Sequence, residues 1–233
     1  MVDLPEKSTA QESGAASPRR LSPEVAKEIR RMIMTGVVTG GQRLRTELLA
    51  DHLGVSATPV REALMSLTGE GMVHFEPGRG FSVLPLKRQD ILDVYDMQAY
   101  VSGELAARAV SNLQASDMER LDELQHELDV AVERGDLITA QKTDFEQHRL
   151  INTKADAPKL TWMLGLTLRY VPFESYGEIP GWPTAGREDH GPILGGLRTR
   201  SAGTARDAMR AHIRHAGDLL VDLLDEQGVL AAE

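Results

Sequence analysis

Residues 49–64, LADHLGVSATPVREAL, decide how the first part of the chain folds. Gly54 permits a tight turn between two short helices, and Val55 fills the angle between them. Val60 and Leu64 repeat at helical spacing, so the second helix has one apolar face and a polar start. This pattern predicts a helix-turn-helix, in which the start of the second helix is free to meet a partner.

The flanking residues extend this motif to a larger domain. Ser22 and Pro23 are typical of a helix start, and Gly36 of a helix end. After the motif, two strand-like runs, 72–76 and 81–84, are separated by Pro-Gly-Arg-Gly, a strong turn signal. The sequence therefore predicts a winged helix-turn-helix of three helices and a β-hairpin over residues 21–86, preceded by a flexible tail, residues 1–20.

The remainder of the chain, residues 87–233, carries only helical periodicity. We expect six amphipathic helices with short links, a loop over residues 171–187 and last helices over 188–200 and 204–228. Such helices form an antiparallel bundle. The predicted fold class is therefore mainly α: an N-terminal winged helix-turn-helix joined, through a hinge at residues 85–90, to an all-α bundle.

Composition excludes several classes of protein. Apolar residues make up 41% and charged residues 26%, as in globular proteins, and there is no cysteine. Disulfides and thiolate-bound metals are thereby excluded, and a metal must take nitrogen and oxygen ligands. No apolar run reaches the length of a membrane span, and the N-terminus has no hydrophobic signal core. We expect a cytoplasmic protein that has no membrane partner.

Charge is distributed unevenly along the chain. The net charge is −9, but residues 19–88 hold eleven Lys and Arg against seven Asp and Glu, and residues 89–233 hold fourteen against twenty-five. A mildly basic module joined to an acidic one suits a DNA-binding domain attached to a domain with another task. Random variation of surface charge explains the same asymmetry about equally well, so charge alone decides nothing.

Four residues of the winged helix are candidates for DNA contact. Ser56 and Thr58 at the start of the second motif helix suit phosphate contacts or helix capping. Arg61, one turn later, can reach a guanine edge or a phosphate. Arg79 lies at a glycine-flanked hairpin tip, from which it can enter a minor groove.

A second group of candidates lies in the C-terminal part. Asp144 and His148 are four residues apart, which places them on one face of a helix. His190 and His212 follow on later helices. Three imidazoles and a carboxylate make a plausible site for a divalent ion, zinc before nickel or manganese. The other four histidines are assigned no role.

These motifs resemble a known family. The run from Leu21 to Val83 resembles the winged helix of GntR-type regulators through "LADHLGVSATPVREAL…EGMV" and "PGRGF". The run from Ile91 to about Leu224 resembles the FCD effector domain of the FadR-type branch through "DFEQHRL", "EDHGPILGGL" and "ARDAMRAHI". The resemblance implies DNA contacts from Arg45, Ser56, Thr58, Arg61, Gly78, Arg79 and Gly80. It also implies that Asp144, His148, His190 and His212 are metal ligands.

The chain departs from the family pattern at four positions. Ala57 stands where Arg usually follows the Gly-Val-Ser turn, which implies a different operator. Gln147 replaces an aromatic residue before His148, and Ala157 replaces an Asn before a proline. Gln98 stands where the first bundle helix often carries an Arg facing the effector, so a bidentate clamp for a carboxylate is missing.

The expected function is that of a homodimeric transcription regulator, most often a repressor in this family. Its partners would be double-stranded operator DNA and a small effector, by resemblance a carboxylate. Two alternatives stay open. The metal can be purely structural, with no effector, or the site can belong to a metal-dependent enzyme. The sequence pattern offers no acid or base beside the ligands, so the chain is not expected to be an enzyme.

Overall fold

A computed structural model describes residues 18–171 and 179–231, with side chains from Leu21 onward. The predicted tail therefore lies mostly outside the described residues. The chain forms two compact units: unit 1 comprises the residues up to Lys87 together with Leu224–Glu233, and unit 2 comprises Arg88–Leu223. The functional boundaries predicted from the sequence remain predictions. None of the helices in the described ranges has the length and apolarity needed to cross a membrane.

Unit 1 is a winged helix-turn-helix, as predicted. Its elements are α1 (Pro18–Met34), β1 (Arg43–Leu44), α2 (Thr46–Leu53), α3 (Ala57–Gly69), β2 (Val73–Glu76) and β3 (Gly80–Val83). The turn between α2 and α3 depends on Gly54, whose φ of 68° lies in the left-handed region. The apolar face of α3 is fully buried at Val60, Leu64 and Leu67. Burial of this face leaves the polar face of α3 outward.

The wing is a sheet of three antiparallel strands in the order β1-β3-β2. In the hairpin, Val73 pairs with Val83 and Glu76 with Gly80, and β1 adds Leu44 opposite Phe81. The sequence predicted the hairpin but missed β1. Two residues are too few for an alternating pattern, and β1 exists because β3 offers it an edge.

Two contacts join parts of unit 1 that are distant in sequence. Arg30 on α1 donates from its Nη2 to Glu70 at the end of α3, at 2.7 Å, with both side chains largely buried. At the other end of the sequence, the Ala231 amide donates to the Leu86 carbonyl at 2.8 Å. The last residues of the chain are therefore part of the winged-helix unit, which the sequence pattern did not indicate.

Unit 2 is the predicted helical bundle. Its elements are α4 (Arg88–Asn112), α5 (Ala115–Arg134), α6 (Leu137–Lys154), α7 (Pro158–Thr167), a 3₁₀ turn (Leu168–Tyr170), α8 (Trp182–Arg198) and α9 (Ala202–Glu226), whose last residues belong to unit 1. The predicted loop over 171–187 is too long, because α8 begins at Trp182. Gly181, with a φ of 84°, precedes this start, and a proline occupies the first turn, where its missing N–H is no loss.

The last two helices, α8 and α9, approach each other at small residues. A Cβ added to Gly196 on α8 would lie 2.5 Å from the Ala205 nitrogen and 2.8 Å from its Cα. Ala205 and Met209 of α9 are fully buried in the same core cluster as Ile193 and Leu197 of α8. This backbone-to-backbone approach fixes how α8 and α9 present their remaining side chains.

The close approach predicts a position-specific effect of adding one methyl group. Gly196→Ala should destabilise unit 2 by roughly 1–3 kcal/mol, because backbone atoms must move apart. The neighbouring Gly195 has nothing within 4 Å of an added Cβ. Gly195→Ala should therefore be neutral or stabilise the helix by up to about 1 kcal/mol. Urea unfolding followed by tryptophan fluorescence measures both, since the two tryptophans, Trp162 and Trp182, lie in unit 2. Equal effects would show that the contact does not restrain the helices.

Candidate metal centre and nucleic-acid interface

The exposed start of α3 carries three of the residues predicted to touch DNA. Ser56 is the N-cap of α3, but its side chain makes no capping hydrogen bond. Thr58 and Arg61 are also exposed. Within the part of the chain that the structure describes, no hydrogen bond or ion pair engages these three side chains. They are available to a ligand together with the free amide groups at the start of the helix.

The other four predicted DNA contacts lie at the start of α2 and on the hairpin. Arg45 is the exposed N-cap residue of α2. Gly78 and Gly80 have φ values of 80° and 85°, so both need glycine, and they flank Arg79 at the tip. The Arg79 guanidinium lies 3.1 Å from a Glu76 carboxylate oxygen, and both side chains are well exposed. Such an exposed pair is weak enough to exchange for a phosphate.

The four predicted metal ligands lie together in unit 2. Asp144 and His148 come from α6, His190 from α8 and His212 from α9. Each offers one ligand atom, and these atoms lie within 4.8 Å of one another. The Nε2 atoms of His148 and His212 are 3.1 Å apart, and Nε2 of His190 is 3.4 Å from Oδ1 of Asp144. Three helices thus converge on one small volume, the His₃Asp cluster.

His190 shows why this cluster suits a cation. Its side chain is 2% exposed, and both ring nitrogens are buried without a hydrogen-bond partner. The 3.4 Å approach to Asp144 lacks the direction of a hydrogen bond. A buried imidazole with two unsatisfied nitrogens is costly, and coordination by a metal satisfies one of them. The donor set of three nitrogens and one oxygen fits zinc, nickel or manganese.

Burial also sets the protonation of the cluster. It lowers the pKa of His148 to about 3 and that of His190 well below its ordinary value, and the charge of His212 adds to both effects. Neutral imidazoles are the form that binds metals. Burial raises the pKa of Asp144 to about 6, although the charge of His212 opposes this shift. Without a cation, the ionised carboxylate is therefore less favourable in the fold than in water, although it still predominates at neutral pH.

One member of the site was missed by sequence reasoning. Asp189 Oδ2 accepts from His212 Nδ1 at 3.3 Å and from His215 Nδ1 at 2.8 Å, and the hydrogen bond from His212 is the main reason that the pKa of Asp189 is lowered. When His212 is neutral, donation from Nδ1 leaves its Nε2 unprotonated and turned toward the cluster. The signal was present in the sequence, since Asp189 directly precedes His190, but spacing could not show which histidine it orients.

A cavity of about 330 Å³ adjoins the cluster. Asp144, His148 and His212 line it, as do Gln98 and Ser102 on α4 and residues of α7. Its volume lies in the range that binds metabolite-sized ligands, roughly 300–1,000 Å³. His190 lies outside the cavity lining, so three of the four ligand side chains border the space in which a small molecule fits.

Comparison with known families covers most of the chain. Residues 21–83 match the family described as bacterial regulatory proteins, gntR family. Residues 93–215 match the FCD domain. The second match alone spans more than half of the chain and contains all members of the His₃Asp cluster.

Two regulators of Escherichia coli K12 are similar in sequence. The chain is 32% identical to the HTH-type transcriptional regulator McbR over 117 residues, which is 50% of this chain and 53% of McbR. It is 23% identical to the HTH-type transcriptional repressor RspR over 210 residues, 88% of this chain and 91% of RspR. The match therefore spans about half the length of McbR and nearly all of RspR.

The solved structure of E. coli McbR/YncC is similar in fold. It aligns with a TM-score of 0.63 over 87% of this chain and 98% of that chain, at 24% identity. A chain from a Pseudomonas syringae GntR-family regulator aligns with a TM-score of 0.52 at 22% identity, over 91% and 90% of the two chains. At these identities the likeness concerns the fold alone.

The raised pKa of Asp144 predicts that its replacement by a neutral residue stabilises the metal-free fold. The ionised carboxylate destabilises the metal-free fold as pH rises through about 6. Metal-free Asp144→Asn should therefore melt at a higher temperature than metal-free wild type at pH 7.5, and the difference should vanish below pH 4. Addition of Zn²⁺ should raise the melting temperature of the wild type by roughly 5–10 °C at a hundredfold excess over Kd, but not that of Asp144→Asn.

Asp218→Asn is the matched control, since Asp218 is an exposed carboxylate of α9. It should respond to zinc and to pH as the wild type does. A wild type whose melting temperature ignores both zinc and EDTA would show that the cluster is a set of core histidines.

Proposed function

The chain belongs to the gntR family of bacterial regulatory proteins and carries an FCD domain, and on this premise we propose that it is a metabolite-responsive repressor. Membership of this family makes it a DNA-binding transcriptional regulator and not an enzyme. RspR, similar over most of its length, is named a repressor. Because operator DNA lies in the bacterial cytoplasm, the proposal places the protein there.

The observation that carries the proposal is the His₃Asp cluster at the wall of a cavity. Asp144, His148, His190 and His212 would hold one divalent ion, zinc in the first place and nickel or manganese otherwise. The ion would supply Lewis-acid attraction for an anionic oxygen. Because three of the four ligand side chains border the cavity, a molecule in it would meet the site from its open side.

The effector that suits this site is a small carboxylate. Its carboxylate oxygen would lie at the cluster and its body in the cavity, against apolar side chains such as Leu164 of α7 and Leu168 of the following 3₁₀ turn. Binding would draw α4, α6, α7 and α9 into one arrangement, since all four helices line the cavity. We propose that the link at residues 85–90 carries this change to the winged helix.

A purely structural metal is the alternative within the same family. It would hold α6, α8 and α9 together without any effector. The cavity favours the effector reading, because a structural site needs no adjoining space of metabolite size. Carboxylates that bind the metal-loaded protein and release operator DNA support the effector function, whereas metal binding without any such response supports the structural one.

DNA binding is proposed to use the exposed residues of unit 1. Ser56, Thr58 and the first amides of α3 would hold phosphates, while Arg61 reads a base edge or a phosphate. Arg45 would hold the backbone next to α2, and the wing residues Gly78, Arg79 and Gly80 would enter or cross the minor groove. The support is their exposure and, for Arg45 and Arg61, the absence of any partner within the described chain.

Arg61→Ala should weaken binding to an operator selected from a random DNA library by roughly 1–3 kcal/mol without lowering the melting temperature. Arg61→Lys should keep phosphate attraction but lose discrimination between bases. Arg120→Ala removes the same charge from unit 2, where Arg120 pairs with Glu123 and Glu127, and is the control. Fluorescence anisotropy measures all three. Equal affinity of Arg61→Ala and wild type removes Arg61 from the interface.

A homodimer is the proposed assembly, because a two-fold dimer doubles the DNA contacts of one winged helix. Two helices of unit 2 that pack on each other, α4 and α7, expose large apolar side chains. Met97 and Tyr100 on α4 are 55% and 56% exposed, and Trp162 and Met163 on α7 are 62% and 51% exposed. Such a face suits a second copy of the chain better than water.

Light scattering should give twice the chain mass of 25.5 kDa. Met163→Glu should lower the dimer fraction, since it places a charge in the proposed interface. Ile138→Glu is the control, because Ile138 is an 82% exposed apolar residue on α6, outside the α4/α7 face. A monomer at micromolar concentration contradicts the assembly, and equal loss of dimer in both variants contradicts the choice of face.

A further inference from the structure

Two buried polar side chains of α4, Gln98 and Ser102, line the cavity and keep hydrogen-bonding groups that no described residue occupies. Gln98 is 2% exposed, and its Nε2 donates to the Thr167 carbonyl at 3.1 Å. A carbonyl only accepts, so this bond fixes the amide orientation and leaves Oε1 as a free acceptor. Ser102 is one helical turn further on the same face, is 3% exposed, and its hydroxyl makes no hydrogen bond with any described residue.

A third neutral group lies on α6. Asn152 lines the cavity four residues after His148, and its Oδ1 is buried without a hydrogen-bond partner. Buried polar groups are nearly always paired in folded proteins, so this oxygen, together with the unoccupied groups of Gln98 and Ser102 at the same cavity, points to a ligand that completes them. Gln98 and Asn152 offer carbonyl oxygens, and Ser102 offers a hydroxyl. The Ser102 hydroxyl and the Asn152 amide can each accept or donate, whereas Gln98, whose Nε2 is engaged, can only accept.

The charge of the cavity lining restricts which ligand groups can hydrogen-bond to these side chains. Among the described residues that line the cavity, Arg149 is the one permanently cationic side chain, and it is exposed on α6. No guanidinium or ammonium lies on α4 beside Gln98 and Ser102 in the described lining. An anionic group at this wall would meet the Gln98 oxygen and lose its water without a counter-charge. A hydroxyl or amide N–H would instead donate to that oxygen.

Resting on the proposed function, we propose that the effector carries a single carboxylate and, at its other end, a neutral hydrogen-bond donor that Gln98 and Ser102 bind. The body between them is apolar, as Leu164 and Leu168 in the cavity lining require. Hydroxy monocarboxylates and amide-bearing monocarboxylates belong to this class, and dicarboxylates do not.

Calorimetry on the zinc-loaded, full-length protein tests the class. The probes are three matched sets of four to six carbons: ω-hydroxy acids, α,ω-dicarboxylates and unsubstituted monocarboxylates. For at least one chain length, the hydroxy acid should bind roughly tenfold more tightly than the dicarboxylate or the unsubstituted acid of the same length. This is the gain expected from a hydrogen bond to the free oxygen of the buried Gln98 side chain. Gln98→Leu should remove this advantage and leave the affinity for the unsubstituted acid unchanged.

Ser102→Ala is the second variant and should reduce the same advantage without changing the size of the core. Thr153→Ala, at an exposed position of the cavity lining, is the control and should keep it. Tighter binding of a dicarboxylate than of its hydroxy acid overturns the inference while the carboxylate-responsive regulator stands. If no acid of any set binds to the zinc-loaded protein, the effector site itself is wrong, and the inference falls with it.

Discussion

The burial of His190 is the constraint on which unit 2 depends. An imidazole with no partner for either nitrogen is unfavourable in a protein interior, and here it lies among two further imidazoles and a carboxylate. Burial keeps His148 and His190 neutral and makes ionisation of Asp144 more costly than in water. A divalent cation lowers these costs, since it accepts one nitrogen lone pair from each imidazole and pairs with the carboxylate. The four side chains of the cluster are thus unfavourable as core residues and well suited as metal ligands.

The backbone packing of unit 2 determines where these side chains meet. Gly196 lets α8 approach the backbone of α9 near Ala205, and Gly103 lets α4 approach the same helix at Arg206 and Arg210. Helices this close cannot slide without breaking many contacts, so small changes at the cavity are passed to neighbours as rigid shifts. The arrangement suits a sensor. The cavity is lined by the same helices that hold the cluster, and a ligand there meets both.

The sequence predicted the features that depend on local pattern. The helix-turn-helix, the hairpin and the bundle follow from helical and alternating periodicity and from glycine positions, and the structure confirms this fold class. It did not predict β1, which is two residues long and exists only by pairing with β3, or the early start of α8, whose Gly and Pro resemble a loop. Both depend on tertiary contacts that no local window contains.

The candidate site likewise combines features that the sequence could predict with features that it could not. His148 could be paired with Asp144 by helical spacing, but the proximity of His190 and His212 rested on resemblance, because they come from distant helices. Asp189 is adjacent to His190 in the sequence, but which histidine it orients could not be predicted. The free oxygens of Gln98 and Asn152 could not be predicted either, since orientation and missing partners are properties of the folded chain. Whether the cluster binds an ion stays a prediction, although the structure brings its four side chains together.

The central claim is that one divalent ion is held by Asp144, His148, His190 and His212. Anomalous diffraction from crystals of the zinc-loaded protein, recorded on both sides of the zinc absorption edge, tests it directly. We expect one strong anomalous peak per chain within coordination distance of three imidazole nitrogens and the Asp144 carboxylate, roughly 2.0–2.2 Å. A cluster without an anomalous peak, with zinc found only on exposed histidines such as His74 or His215, would contradict it.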